Sequence, residues 1–350
     1  MHAPSLLVEV TRGHEVEARH RGHLAAIDPD GNVSAQLGEI ETRTHFRSAA
    51  KPFQALPIVT TGAAEHFQFT MQELAVINGS HSGEAQHLAA VQSILDKIGL
   101  PEAALQCGAH TPFDDVTAKQ LRATGQAPRT LHNNCSGKHA GMLALAKFLN
   151  HSIENYLDPE HPIQRLIRAT LARFADVPYD EIGVAVDGCS APVFTTTIAA
   201  MARSYAQLVG VEHTDLATDQ ALPQAAKRIV NAFIEHPVMI GGTRNRLDTD
   251  LMIAAHGQLI SKVGAEGVQL LGVLPCARYP HGLGIALKIE DGDIKRARDP
   301  VVLETLRQLG VLNDAQLAQL APYASATVYN HRKLAVGEVR TCFELTIGNQ

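Results

Sequence analysis

The stretch Leu131-His132-Asn133-Asn134-Cys135-Ser136-Gly137-Lys138-His139-Ala140-Gly141 sets a thiol, a hydroxyl, an amine, an imidazole and two amides at the head of an apolar run, Met142 to Phe148. No packing requirement explains that content. One chemistry it allows is a nucleophilic cysteine with His139 as base. Another is a metal site joined by Cys189, in Val186-Asp187-Gly188-Cys189-Ser190, since thiolates favour zinc. C-x-x-C pairs and H-E-x-x-H are absent, so local spacing supports no standard zinc site, and two inert buried thiols are the plain alternative.

Further candidates lie elsewhere. In Ser48-x-x-Lys51, residues three apart on a helix share a face, so a neutral lysine amine there can take the serine proton. Alone the pair is weak, and Pro52 allows Lys51 to be a cap with Ser48 outside the helix. In Asn78-Gly79-Ser80-His81-Ser82-Gly83-Glu84, Ser82 or Gly83 can cap the next helix. That leaves Ser80 and His81 unexplained, and a second hydroxyl near a nucleophile commonly shuttles a proton. Lys262-Val263-Gly264-Ala265-Glu266-Gly267 puts a lysine at a strand end beside glycines, where a backbone N–H can approach an oxyanion or carboxylate; a solvated hairpin lysine is the simpler alternative.

The elements that position these groups follow from patterning. Leu6 to Thr11, Glu15 to His20, His23 to Asp28 and Val33 to Gly38 predict an antiparallel meander, with Asp30-Gly31 marking a hairpin. Helices are expected at Ser48 to Leu56, Thr70 to Ile77, Glu84 to Ile98, Lys138 to Phe148, Pro162 to Phe174, Pro192 to Ser204 and Leu222 to Glu235, with Ile182 to Gly188 a short buried strand between them. Gly241 to Met252 reads as too polar and glycine-rich for a core element. Strands follow at Leu259 to Val263, Gly267 to Leu274 and Gly282 to Glu290, then helices at Pro300 to Leu309 and Asp314 to Leu320 and a last strand at Arg340 to Leu345. Strands at both ends with helices between them predict an α+β fold, an antiparallel sheet of N- and C-terminal strands packed with helices, plus a mainly helical lobe. The expected division is a single catalytic unit, 1–350, with a sheet lobe of 1–60 and 240–350 and a helical lobe of 61–239.

The 350 residues suffice for a substantial core, and 45% apolar with 19% charged residues describe an ordinary globular chain. A net charge of -6, 5% aromatic residues and no Lys/Arg-rich run argue against a nucleic-acid partner. No stretch reaches the roughly 18–20 apolar residues of a membrane helix. The first residues carry no basic leader or cleavage site, and the five dispersed cysteines suit a reducing compartment, so the expectation is cytoplasmic.

Taken together, Arg47-Ser48-Ala49-Ala50-Lys51-Pro52, Asn78 to Glu84, His132 to His139, Asp187-Gly188-Cys189 and Lys262-x-Gly264-x-Glu266-Gly267 resemble the Rhizobium etli-type (class 3) L-asparaginases, unrelated to the bacterial type I/II and plant-type enzymes. The match runs from about Leu6 to Leu345. The resemblance implies a serine β-lactamase/penicillin-binding-protein-like fold, shared with a glutaminase family, and a homodimer that hydrolyses L-asparagine. By matching motif it implies Ser48 as nucleophile, Lys51 as general base, Ser80 and Lys262 as a second Ser-Lys pair, and Cys135, Lys138 and Cys189 as ligands of a Zn²⁺. Arg47, His139 and Asp187 are then expected at the substrate. The Ser48–Ser80 interval is shorter, and Ser80–Lys262 longer, than in the lactamases, which argues against penicillin recognition. The alternatives are a glutaminase or other small-amide hydrolase using Cys135 or a zinc-bound water, and a non-enzymatic small-molecule binding module.

Overall fold

In the computed structural model, which describes residues 3–347, turn chemistry and apolar strand faces build the expected meander. β1 (Ser5–Arg12) turns at Gly13, in the left-handed region at φ 59°, into β2 (Glu15–Ile27), and the Asp28–Asn32 turn leads to β3 (Val33–Leu37). The two strands expected at Glu15 to His20 and His23 to Asp28 are one. Gly22 continues the strand instead of breaking it, because the carbonyl of Lys288 packs where its Cβ would stand.

The remaining strands are β4 (Arg43–His45), β5 (Gly183–Val186), β6 (Pro192–Thr197), β7 (Leu259–Val263), β8 (Val268–Val273), β9 (Leu283–Ile289), β10 (Thr327–Tyr329), β11 (Ala335–Thr341) and β12 (Thr346–Ile347). Among the described residues nine strands form one antiparallel sheet in the order β10-β11-β1-β2-β9-β8-β7, with β3 beside the second half of β2 and β12 beyond it; β4-β6-β5 form a second sheet. N- and C-terminal strands thus share the main sheet, and the α+β class is the one observed. The helix Ile198–Val209 lies on this sheet although it falls within 61–239, and the carbonyl of Ala202 approaches so closely that only glycine fits at Gly284. Residues 1–2 and 348–350, at the ends of the expected sheet lobe, lie outside the described residues.

Four local expectations are corrected. Pro192 to Ser204 is not one helix: Val193-Phe194-Thr195-Thr196-Thr197 favours β6, and Thr197 caps the helix at Ile198. The strand at Ile182 to Gly188 is not buried, since β5 is an edge strand with Val186 75% exposed. The last strand expected at Arg340 to Leu345 is broken in two: Val339, Arg340 and Thr341 end β11 in its pairing with β1, Phe343 leaves the ladder to meet Gln308, and β12 resumes at Thr346 beside β3. Gly241 to Met252 does enter the core: Leu247–Ala254 is a helix with Leu247, Asp248, Thr249 and Met252 buried.

Local signals held elsewhere. Thr70 and Glu73 form a capping box at the helix Met71–Asn78, and Gly99 closes the helix Ala85–Ile98 in the left-handed conformation. Among the described residues no helix is long and apolar enough to cross a membrane.

Candidate active site

Ser48 lies in a 3₁₀ turn, Arg47–Ala50, that runs into the helix Lys51–Thr60 with Ala50 as cap and Pro52 in the first turn. Arg47 has φ 49°, an unusual conformation for a non-glycine residue, immediately before the serine. The turn is fixed from outside, by Phe46 N–H on the carbonyl of Phe194 and by the Tyr205 hydroxyl on that of Ala49. Ser48 is half-buried, and among the described residues its hydroxyl has no hydrogen-bond partner.

The Lys51 amine is fully buried and donates to Ser80 Oγ at 3.1 Å, to the Asn134 carbonyl at 3.3 Å and to the Gly79 carbonyl. The helical pairing of Ser48 with Lys51 is therefore not a hydrogen bond here, although i and i+3 share a side in a 3₁₀ turn: the Lys51 amine is taken up by Ser80 Oγ and by the Asn134 and Gly79 carbonyls instead. Lys262, equally buried, donates to the same Ser80 Oγ at 2.9 Å and to the Val263 carbonyl. Burial lowers the pKa of both lysines, that of Lys262 well below its ordinary value. The result is two amines disposed toward the neutral form, joined through one hydroxyl.

The Ser80 loop is held on several sides. Ser80 N–H reaches the Ile240 carbonyl, and a Cβ at Gly79 would meet the Met239 carbonyl at 2.4 Å. His81 Nδ1 accepts from Gly83 N–H, so its Nε2–H donates to Ser136 Oγ at 2.9 Å, and Ser136 donates on to the Leu131 carbonyl. This chain ties the Ser80 loop to the cysteine loop.

The structure also brings Cys135, Asp187 and Cys189 together, with one ligand atom of each within 4.8 Å of the others. Lys138 Nζ stands 3.1 Å from Cys189 Sγ, and Arg47 Nε donates to Asp187 Oδ1 at 2.7 Å. The hydrogen bond between the two thiols, aided by Lys138, lowers Cys189 to about 5 and, with burial, pushes Cys135 up to about 12. Burial disfavours charge on Lys138, but Cys189, Cys135 and Asp187 outweigh it and raise its pKa. Two thiols, a carboxylate and an amine at this spacing make a donor set that fits zinc, provided Lys138 gives up its proton to the metal.

His139 is fully buried and bonds through Nδ1 to the Tyr156 hydroxyl at 2.7 Å. Tyr156 also accepts from Gln106 N–H, and in the tautomer that uses its own hydrogen it donates to Nδ1 and leaves the hydrogen of His139 on Nε2. That Nε2 has no partner among the described residues, and burial together with Lys138 lowers the imidazole pKa to about 3. His139 is thus a neutral donor.

Sequence reasoning missed Asp248 and Arg246. Buried Asp248 accepts from Ser261 Oγ at 2.7 Å, Gln269 Nε2 at 2.8 Å and Val263 N–H at 2.9 Å. Burial would raise its pKa, but the nearby Lys262 and these donors lower it. Arg246 donates to Ser82 Oγ at 2.8 Å and to the Ser80 carbonyl at 2.7 Å. The available signal was the apolar content of Leu247, Leu251 and Met252 inside the polar stretch, which marks a helix that carries its acid inward.

The family described as L-asparaginase II matches residues 8–341. No curated protein matches significantly. Among solved structures, Mglu in its native form in the presence of 4.3M NaCl is 17% identical over 82% of this chain and 59% of its own, with a TM-score of 0.44. The present chain therefore spans less than two thirds of that protein's length. A second structure of Mglu is 15% identical over 83% of this chain and 67% of its own, TM-score 0.47. A probable glutaminase from Bacillus subtilis complexed with 6-diazo-5-oxo-L-norleucine is 12% identical over 83% of this chain and 84% of its own, TM-score 0.40.

Proposed function

The chain belongs to the L-asparaginase II family, and on that premise we propose that it hydrolyses the side-chain amide of L-asparagine, giving L-aspartate and ammonia through an ester on Ser48. The observation that carries this reading is the convergence of the Lys51 and Lys262 amines on Ser80 Oγ, with Ser48 one turn ahead of Lys51. Lys51 is one turn from Ser48 but not hydrogen-bonded to it in the free protein. In the substrate complex the neutral amine comes within reach of the serine and takes its proton, and the serine oxygen attacks the amide carbon. As the C–N bond breaks, a proton returns to the leaving nitrogen along Lys51, Ser80 and Lys262, and ammonia departs. Water, activated by the same relay, then cleaves the ester.

In this reading Cys135, Lys138 and Cys189 would hold the Zn²⁺, which when bound would supply a Lewis-acidic open position at the wall of the site. Asp187, steadied by Arg47, takes the substrate ammonium, and His139 Nε2–H donates to a substrate oxygen. A homodimer and a cytoplasmic location complete the proposal. Cys135 is the weaker nucleophile, since its thiol is pushed up to about 12 and carries little thiolate at neutral pH.

The test is ammonia release from asparagine and from glutamine, with and without a chelator, followed by mass spectrometry of acid-quenched enzyme. An aspartyl ester on Ser48 is expected. An adduct on Cys135, or release from glutamine alone, overturns the assignment.

A further inference from the structure

Three arginines border the site, and they are used differently. Arg47 is paired with Asp187, and Arg244 with Asp114 at 2.8 Å. Arg246 has no carboxylate within ion-pair distance among the described residues. Its nearest acids are engaged elsewhere. Asp248 accepts from Ser261, Gln269 and Val263, while Glu84 accepts from Thr243 N–H, the Thr243 hydroxyl and Gln86. A guanidinium has five N–H donors, and here one goes to Ser82 Oγ and one to the Ser80 carbonyl. One side of the group faces the ring of Phe113, whose centroid is 5.7 Å away and which is itself 56% exposed.

Asp248 and Glu84 act on Arg246 only through space, so no carboxylate occupies its fork, and the N–H groups not used on Ser82 and Ser80 are left for a ligand carboxylate. In asparagine the α-carboxylate carbon is three bonds from the amide carbon, about 4 Å at most. The group that binds it must therefore lie close to the proton relay, and Arg246 is hydrogen-bonded to the backbone of the serine whose hydroxyl joins the two lysines. A planar guanidinium with N–H groups to spare also matches a carboxylate in geometry.

We propose that Arg246 is the α-carboxylate receptor, the residue that restricts the enzyme to amino-acid amides and, with Asp187 on the ammonium, reads both ends of the α-carbon. This rests on the amidohydrolase reading given above.

The test compares asparagine with 3-aminopropanamide, which is asparagine without its α-carboxylate, in the wild type and in Arg246→Gln and Arg246→Lys. The truncated amide is read as a substrate or, where turnover is slow, as a competitive inhibitor of asparagine hydrolysis. Arg246→Gln is expected to raise KM for asparagine roughly tenfold to a hundredfold, the range of one charged hydrogen-bonded contact, with kcat changed far less. It should leave the constant for 3-aminopropanamide unchanged within about twofold, and Arg246→Lys should recover part of the loss. Equal losses on both compounds, or a fall in kcat at constant KM, overturn the assignment and make Arg246 a brace for the Ser80 loop. The wild type alone provides an arm that does not depend on variant folding: binding 3-aminopropanamide as tightly as asparagine overturns it too. A wild type that releases no ammonia from asparagine sinks the broader functional reading instead, so the two failures are distinct.

Discussion

The Lys262 amine lies 2.9 Å from Ser80 Oγ, and the same hydroxyl receives the Lys51 amine at 3.1 Å. Ser80 is thereby the junction of the site. Its removal should break the proton path without touching substrate binding. Ser80→Ala is expected to lower kcat by roughly 10²–10³, with KM altered only a few-fold. Steady-state kinetics on asparagine decide this, and a variant with wild-type kcat would exclude a relay role.

Ser48 has no hydrogen-bond partner among the described residues and lies in a turn pinned by its neighbours' backbone groups. Ser48→Ala should therefore melt within about 2 °C of the wild type, as surface-type changes do. It should also lose the quenched ester and nearly all turnover. A fully active Ser48→Ala protein would end its candidacy as nucleophile.

Asp248 accepts three hydrogen bonds in a buried position. In Asp248→Asn one amide N–H must face a donor, either Val263 N–H or an NH₂ or OH group that has lost its acceptor. We expect a loss of about 1–3 kcal/mol in stability, measured by denaturant unfolding. Unchanged stability would show that the three bonds rearrange without cost.

The cluster of Cys135, Asp187 and Cys189 makes a direct prediction about metal content. Purified wild type should carry close to one zinc per chain by elemental analysis, and Cys189→Ala should carry far less while keeping its far-ultraviolet circular dichroism. Equal zinc in the two proteins would place the metal elsewhere.

Glu73 offers a test of stability against pH. Burial would raise its pKa, but Lys97, Thr70 N–H and Ser93 outweigh burial and hold it below the ordinary glutamate value. A carboxyl depressed in the folded state stabilises the protein above its unfolded pKa, and that contribution fades as pH falls through the folded value. Glu73→Gln should cost about 1–2 kcal/mol near pH 7 and little at strongly acid pH. A deficit that stays constant with pH would assign the loss to the capping geometry alone.

Local chemistry in the sequence determined the meander, the capping box at Thr70 and Glu73, the stop at Gly99, and the motifs holding Ser48, Lys51, Ser80, Cys135, Lys138, Cys189 and Lys262. These signals span a few residues, and turn preference and side-chain periodicity act at that range. The helical start at Pro192 and the loop-like Gly241 to Met252 failed for the same reason. β6 is set by its pairing with β4 and β5, and the Asp248 helix by the lysine and ladder groups it meets. Only the tertiary structure decided that Lys51 reaches Ser80 rather than Ser48, that Lys262, far along the chain, completes the junction, and that Arg246 has no carboxylate within ion-pair distance among the described residues. Each depends on which partners folding brings together from 29 to 182 residues apart, and local residue spacing does not record that.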